Sequence, residues 1–422
     1  MAKDNRNTWE VWLDAPTLAP KQRVGSLYQN LVKTVVPATF AYSADWLQAP
    51  IKFALDPRLE LYKGEQTPEV DFPAFGVFMD SAPDRWGRLL MERRELLNAK
   101  QQGRVPRTLQ ETDFLLGVSD EVRMGALRFC EDEKTQFVSQ DTLAAPPVTS
   151  LAELSEIARR IDEPGIEKLP EYQKWLQMLI SPGSSLGGAR PKANFREDDG
   201  ALWIAKFPSM SDTYDVGAWE FVTRKLAERC EIKVPDASLA KFNSSYHTYC
   251  SKRFDRVKGA HGLERRMYVS AMTLLERRDG QDDGSYLHLI QAIEDHGAQD
   301  HVDSDLEQLF RRVVFNVLIG NRDDHLRNHG FLREPTGWRL SEAFDMNPST
   351  TKVGHALTLD GQSNAPDVNL VLKTAQYYRL KDAQAQSIFD DIKAELSHWK
   401  DVAHKHGLSS SEIERMTAVI QA

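Results

Sequence analysis

Two carboxylates and an amide in the last third of the chain stand at a spacing that suits phosphoryl transfer. Asp323 and Asn328 are five residues apart, and Asp345 follows Asn328 by seventeen. In kinase-like folds, a D-x-x-x-x-N pattern followed by a further Asp supplies a base for a hydroxyl and two ligands for Mg²⁺. The metal offsets the charge that accumulates on the transferred group. The spacing therefore indicates Asp323 as catalytic base, with Asn328 and Asp345 as metal ligands.

The same residue types also have a purely structural explanation. Asp, Asn and His are common in turns because their short side chains cap helices and tolerate unusual backbone angles. A D-x-x-x-x-N spacing also arises by chance in a chain of this length. The kinase-like interpretation therefore depends on whether other parts of a phosphate-binding site precede the motif.

A loop rich in glycine and serine, at residues 181–192, is the first such part. Its backbone N–H groups could approach phosphate oxygens without obstruction by side chains. It is neither a P-loop nor a strict G-x-G-x-x-G, and a plain hairpin turn is the alternative. The residues predicted to approach the phosphates here are Gly183 to Gly188, a stretch that includes Ser185, Gly187 and Gly188.

A lysine and a glutamate follow the loop in the order that a kinase requires. Lys206 lies in an alternating segment that predicts a strand, and its ammonium is expected on the nucleotide phosphates. Helical spacing at 215–229 places Glu220 where it could pair with Lys206. Glu228 is less suitable because it lies near the end of that helix. An exposed edge lysine is the structural alternative, but the order of the elements favours a kinase-like site.

Periodicity along the chain predicts an α+β fold in three segments. Residues 1–145 read as a small strand-rich subdomain, and residues 146–260 as a kinase N-lobe with the glycine-rich loop. Residues 261–422 read as a mostly helical lobe that carries the catalytic and metal-binding motifs. Its clearest helix is 304–319, with Ser304 as the expected N-cap and Gly320 at the end.

The composition disfavours several classes of protein. The chain has 422 residues, of which 41% are hydrophobic and 27% charged, as in soluble globular proteins. A net charge of −9 argues against a broad basic surface for nucleic acid, although a partner could bind DNA. Cys130, Cys230 and Cys250 form no zinc pattern and indicate reduced thiols in a cytoplasmic protein. Neither a secretory signal nor a membrane span is expected.

Taken together, these motifs resemble the HipA family, the serine/threonine kinase toxins of bacterial type II toxin–antitoxin systems. His325, two residues after Asp323, sets the chain apart from ordinary eukaryotic-type protein kinases, which carry a histidine before the aspartate. The resemblance covers nearly the whole chain. Its central motifs are Ser185-Leu186-Gly187-Gly188-Ala189-Arg190-Pro191-Lys192, Ile204-Ala205-Lys206-Phe207-Pro208, Arg253-Phe254-Asp255-Arg256, residues 321–328 and Phe344-Asp345-Met346-Asn347-Pro348.

The resemblance implies a two-lobed kinase-like fold that binds ATP and Mg²⁺. It implies Asp323 as base, Asn328 and Asp345 on the metal, and Lys206 on the phosphates, with Lys192 near the nucleotide. In the family, autophosphorylation of a serine in the glycine-rich loop expels the loop and switches the kinase off. The matching residue is Ser185, with Ser184 beside it, and roughly two added negative charges would disfavour ATP by repulsion.

The resemblance also implies partners. Family members phosphorylate aminoacyl-tRNA synthetases, glutamyl-tRNA synthetase above all, and are neutralised by a helix-turn-helix antitoxin, HipB, that binds operator DNA. An acidic toxin would contact DNA only indirectly, through the antitoxin. Two alternatives stay open: a small-molecule or lipid kinase with the same loop, and a catalytically silent kinase fold that acts as a co-repressor. The lack of a basic amphipathic segment argues against a lipid substrate.

Overall fold

A computed structural model of the chain describes residues 6–30, 37–70, 72–131, 136–139, 145–161, 163, 165–180, 190–260, 262–278, 280–281 and 283–421. The chain divides into two compact units. The first comprises Met1–Ala205 and Asp255–Val269, and the second comprises Lys206–Phe254 and Ser270–Ala422. The predicted division into three segments is finer than this and stays a prediction. Ser184, Ser185, Gly187 and Gly188 lie outside the described residues.

An antiparallel sheet forms the base of the first unit. Its strands agree with the prediction of a strand-rich segment, and Val11, Leu27 and Phe40 are among the side chains that it buries. The pairing of the first two strands shifts register between Val11 and Trp12. In spatial order the strands are Glu65–Gln66, Thr39–Tyr42, Gln22–Asn30, Arg6–Leu13 and Leu127–Glu131.

Helices and hairpins complete the first unit. The described helices are Ala44–Gln48, Gly76–Ser81, Arg85–Gln101, Glu111–Gly117, Leu151–Arg160 and Tyr172–Ile180, with short 3₁₀ turns at Val148–Ser150 and Ile166–Lys168. One hairpin pairs Lys192–Arg196 with Leu202–Lys206, and the last residue of the second strand, Lys206, is the first residue of the second unit. The other hairpin pairs Arg256–Gly259 with Gly262–Arg265.

The Arg253 to Arg256 motif ends in a buried structural cluster of the first unit. Asp255 is completely buried, and its Oδ2 accepts hydrogen bonds from the backbone N of Gly125 at 2.8 Å and from Arg256 Nη1 at 2.5 Å. Arg256 Nη2 in turn donates to the carbonyl of Arg123 at 2.7 Å. Gly125 has a φ of +77°, a conformation that L side chains rarely adopt. This arrangement agrees with a structural role for Asp255 and Arg256.

The second unit is mainly helical around one long buried helix. This helix runs from Val302 to Ile319, so its N-cap is His301 and the predicted cap at Ser304 is wrong by one turn. Its apolar face is buried as predicted. The other helices are Val216–Arg229, Ala271–Leu274, Tyr286–His296, Val368–Lys373, Asp382–Leu396, Trp399–Lys405 and Ser410–Thr417.

Short strands and turns complete this unit. Antiparallel pairs form between Ala237–Ala240 and Thr248–Lys252, and between Gly330–Glu334 and Gly337–Leu340. A further strand, Tyr268–Ser270, ends at Ser270, where the chain enters the second unit again. Short 3₁₀ turns occur at Gln299–His301, Leu326–Asn328 and Ala375–Tyr378. Among the described residues, no helix combines the length and the apolar character needed to cross a membrane.

Lys192 forms a buried ion pair within the first unit. Its Nζ lies 2.5 Å from Asp84 Oδ2, and the two side chains are 2% and 5% exposed. Asp84 also caps the helix Arg85–Gln101, because its Oδ1 accepts a hydrogen bond from the backbone N of Gly87. Burial raises the pKa of Asp84, although Lys192 opposes this shift. The pair therefore links the strand that follows the glycine-rich loop to the start of this helix.

We expect Lys192→Met to destabilise the protein by about 3 kcal/mol, because removing one partner leaves a buried charge uncompensated. Urea unfolding followed by tryptophan fluorescence would measure this loss. Lys174→Met is the control, since Lys174 lies 4.0 Å from Glu153 in an exposed pair, and we expect a change of about 0.5 kcal/mol or less. The Lys192→Met/Asp84→Asn double variant should recover part of the stability; equal losses in the single and double variants would contradict the assignment.

Candidate functional site

A buried lysine held by two carboxylates forms the centre of the candidate site. Lys206 ends the strand Leu202–Lys206, and its Nζ lies 2.6 Å from Glu220 Oε1 and 2.5 Å from Asp345 Oδ1. Glu220 lies on the helix Val216–Arg229. The predicted pairing of Lys206 with Glu220 is thus present. Glu228, the weaker candidate, lies on the same helix but pairs with Arg224 instead.

The charges of this triad are strongly coupled. Burial alone would lower the pKa of Lys206, but the carboxylates of Asp345 and Glu220 outweigh it and raise the pKa above its ordinary value. Burial raises the pKa of Glu220, and although Lys206 opposes this, Asp345 adds to it. Two carboxylates therefore share one ammonium. A further cation beside Asp345 would relieve this imbalance.

The backbone at Asp345 adopts an unusual conformation. Its φ is +58°, in the left-handed region that few residues other than glycine occupy, and Asp tolerates this region better than most. Phe344, just before it, stacks on Phe254 with ring centroids 5.3 Å apart. Such backbone strain persists where the surroundings fix it, often at functional sites. In this backbone conformation, the carboxylate of Asp345 contacts the ammonium of Lys206.

Asp323 and Asn328 lie together in the loop that follows the long helix. Gly320 ends that helix with a φ of +77°, and a Cβ on it would lie 2.3 Å from Val419 Cγ1. The side chain of Asp323 is 61% exposed. Asn328 is buried, and its Nδ2 donates to the carbonyl of Asp323 at 3.4 Å. The loop therefore presents an accessible carboxylate beside a fixed amide.

The donors present suit Mg²⁺. Asn328 Oδ1 is buried without a hydrogen-bond partner, although buried polar atoms normally have one. Together with a carboxylate of Asp345, it would form the small oxygen set that Mg²⁺ uses when water and phosphates complete the coordination. Among the described residues, no group of three or more His, Cys, Asp or Glu side chains is placed to hold a metal ion.

A buried hydrogen-bond network, which the sequence did not reveal, anchors this loop. Asp324 Oδ2 accepts hydrogen bonds from Tyr286 Oη at 2.7 Å and Asn316 Nδ2 at 2.9 Å, and lies 2.8 Å from His329 Nε2. Burial would raise the pKa of Asp324, but His329 and Tyr286 outweigh it and lower the pKa. Asn321 Nδ2 extends the network to Asn316 Oδ1 at 3.0 Å. Asn316, the one polar residue in the buried run from Val313 to Ile319, was the available signal.

The described members of the predicted site all lie in the second unit, except Lys192. Lys206, Glu220 and Asp345 are in direct contact, and Asp323 and Asn328 share one loop. Lys192 contacts Asp84 in the first unit, so its nucleotide-binding role stays a prediction. The sequence also gave no indication that Lys352 forms an ion pair with Asp323.

His355 lies beside this network and makes the second unit sensitive to acid. It is 2% exposed, and burial lowers its pKa from 6.5 to about 4, although Asp324 opposes the shift. The unfolded chain therefore binds a proton between these pH values that the folded protein does not. The stability that neutral His355 contributes is complete above about pH 6.5 and is lost as the pH falls toward 4.

We expect this residue to account for up to about 3 kcal/mol of the stability lost between pH 6.5 and pH 4. His355→Leu should make the free energy of unfolding depend less steeply on pH in this range, whatever its effect at neutral pH. Urea titrations at a series of pH values would measure the slope. His398→Leu, which changes an exposed histidine, is the control; equal slopes in the two variants would rule out His355 as the source.

Comparison with known proteins places this site in a family. The sequence pattern of the HipA-like C-terminal domain matches residues 184–416. HipA of Shewanella oneidensis MR-1, solved with HipB and its operator DNA, has a similar fold, with a TM-score of 0.66 and 17% identity over 97% of this chain and 94% of that chain. The proinflammatory kinase CtkA of Helicobacter pylori aligns with 54% of this chain and 94% of its own, at 15% identity and a TM-score of 0.36.

A curated relative is known from Haemophilus influenzae (strain Rd), where it is named provisionally as a kinase. It is 27% identical over 171 residues, which are 36% of this chain and 48% of that protein. The chain thus spans about half the length of this relative. The predicted α+β class, with a β-rich N-terminal part and a helical C-terminal part, is confirmed. Because the family pattern covers more than half of the sequence, the chain belongs to the HipA-like kinase family.

Proposed function

We propose that this chain is an ATP- and Mg²⁺-dependent protein kinase that transfers phosphate to serine or threonine. The observation that carries the proposal is the buried ammonium of Lys206 held between Glu220 and Asp345. Kinases require such a lysine–glutamate pair beside a metal-binding aspartate. A fold without catalytic activity would have no need to bury Lys206 and Glu220 beside the partly exposed Asp345, because buried ion pairs gain little over apolar packing.

Each residue of the site has a defined task in the proposed reaction. Lys206 binds phosphate oxygens of the nucleotide, and Glu220 keeps its ammonium in place. Asn328 and Asp345 hold Mg²⁺, which when bound offsets charge on the transferred phosphoryl group. Asp323 orients the acceptor hydroxyl and takes its proton as the oxygen attacks phosphorus. The exposure of Asp323 supports this role, because a protein substrate must reach it.

Biologically, we propose a toxin of a toxin–antitoxin pair that acts in the cytoplasm. The proposed substrate is a translation factor such as an aminoacyl-tRNA synthetase, with glutamyl-tRNA synthetase as the first to test. The proposed partner is a HipB-like helix-turn-helix protein, since HipA of Shewanella oneidensis was solved with HipB and operator DNA. With a net charge of −9, this chain would leave most DNA contacts to that partner.

We expect Asp323→Asn to reduce phosphotransfer from radiolabelled ATP by at least roughly 10²-fold, because the amide cannot accept the hydroxyl proton. Labelling of a bacterial lysate, with and without the purified chain, would measure it. Asp391→Asn, which changes an exposed aspartate on the helix Asp382–Leu396, should keep full activity. Undiminished transfer by the Asp323→Asn variant would refute the base assignment, and no Asp323-dependent transfer to any substrate would favour a silent co-repressor.

We further propose that the kinase inactivates itself by phosphorylating Ser185. After incubation with ATP and Mg²⁺, peptide mapping should find phosphate on Ser185, and activity should decline in step with it, because the added charge repels the nucleotide. Ser185→Ala should keep its activity over time. Ser184→Ala is the matched control and should still lose activity; protection by Ser184→Ala instead would move the switch to that neighbouring serine.

A further inference from the structure

The segment from Ser349 to Ala356 is tied to the loop that carries Asp323. The backbone N of Ser349 donates to the carbonyl of Gly320 at 2.9 Å, and the backbone N of Ala356 donates to the carbonyl of Arg322 at 3.0 Å. Arg322 Nη1 donates to the carbonyl of Lys352 at 2.6 Å. Three hydrogen bonds thus fix the backbone around Lys352 against the residues that immediately precede Asp323.

This backbone arrangement places a second lysine on the proposed catalytic base. Lys352 Nζ forms an ion pair with Asp323 Oδ1, and the two side chains are 45% and 61% exposed. The contrast with Lys206 is clear, because the ammonium of Lys206 is buried between two carboxylates. An exposed pair is weak and exchanges readily with other ligands. Its ammonium is therefore available to a phosphate group that reaches Asp323.

We propose that Lys352 is a second catalytic lysine that stabilises the phosphoryl group during transfer. This inference rests on the proposed kinase function. The acceptor hydroxyl must bind the same carboxylate that Lys352 contacts. As the bond from the acceptor oxygen to the γ-phosphorus forms, the bond from that phosphorus to the bridging oxygen breaks, and its electron pair leaves with ADP. The hydroxyl proton moves to Asp323, and Lys352 keeps its own proton.

The position of Lys352 determines which step it would assist. A group that touches Asp323 lies next to the attacking oxygen. It is therefore close to the equatorial oxygens of the group in transit, over which the charge of the transition state is spread. Lys206 lies instead against Asp345, a proposed metal ligand. The two lysines would thus act at different points: Lys206 on bound nucleotide, and Lys352 on the transition state. Loss of Lys352 should consequently lower kcat more than it raises the KM for ATP.

The opposite interpretation is that Lys352 blocks the base until a substrate displaces it. A blocking contact predicts that removal of the ammonium raises activity. A purely structural contact predicts unchanged activity per folded molecule. The three interpretations therefore differ in the direction of a single measurement, the rate of phosphotransfer at saturating ATP.

The test compares Lys352→Met and Lys352→Arg with Lys241→Met, a control at an exposed lysine between the strands Ala237–Ala240 and Thr248–Lys252. Radiolabel transfer from ATP with Mg²⁺ into the chain itself and into casein would give kcat and the KM for ATP. We expect Lys352→Met to lower kcat roughly 10²-fold with the KM changed by less than about twofold. Lys352→Arg should recover part of the rate because it keeps the charge, and Lys241→Met should match the unmodified chain.

Two further measurements separate the possible failures. Thermal unfolding should show that Lys352→Met is folded, so that its lower rate belongs to the reaction. Asp323→Asn serves as the reference, and adding Lys352→Met to it should cause little further loss if both act in the same step. If Asp323→Asn is inactive but Lys352→Met keeps or exceeds the normal kcat, the inference about Lys352 is wrong and the kinase proposal stands. If Asp323→Asn is fully active, the base assignment fails and the inference about Lys352 fails with it. If the unmodified chain transfers no phosphate to either acceptor, the kinase proposal itself fails.

Discussion

The ammonium of Lys206 can remain buried only because two carboxylates replace the water it has lost. Removing a charge from water costs several kcal/mol, and good geometry with compensating charges is needed to offset that cost. Glu220 and Asp345 meet this need from two distant parts of the sequence, one on a helix and one on a loop in left-handed conformation. The strand, the helix and the loop must each be placed accurately for the three groups to meet. Much of the second unit can be understood as support for this contact.

The loop that carries Asp323 depends on a different kind of support. Its anchor is a buried network of tyrosine, asparagine and histidine side chains around the carboxylate of Asp324. Asn316 contributes to it from the buried helix Val302–Ile319. Asp324 Oδ2 takes part in three contacts of this network, and hydrogen bonds in a buried site favour one geometry over its alternatives. The backbone next to Asp323, the proposed base, is thereby anchored, although the side chain of Asp323 is exposed to solvent. The buried network around Asp324 holds the loop in place, and the exposed position of Asp323 leaves its carboxylate accessible to a substrate.

The amino-acid sequence predicted one contact of the candidate site, the pairing of Lys206 with Glu220, but not the side chains that surround the site. The pairing of Lys206 with Glu220 followed from the order of strand and helix, because local periodicity specifies which residues can face each other. The network around Asp324 and the contact of Lys352 with Asp323 could not be derived in this way, since both join residues that only tertiary packing brings together. The start of the long helix was misplaced because Ser304 is a good capping residue, whereas the helix begins one turn earlier. The buried pair of Lys192 and Asp84 likewise joins residues 108 positions apart.

Asp323 and Asp324 are chemically identical neighbours with opposite environments, one exposed and the other enclosed. Their different tasks are therefore set by position along the loop and by nothing in the side chains themselves. A one-residue insertion or deletion between Gly320 and this pair would shift the two positions. We expect it to expose the carboxylate of Asp324, which anchors the loop, and to bury that of Asp323, the proposed base. Substitutions around the pair can be absorbed one at a time, but the length of this stretch cannot change. We therefore expect the number of residues between the end of the long helix and the two aspartates to be fixed, whatever residues occupy the positions between them.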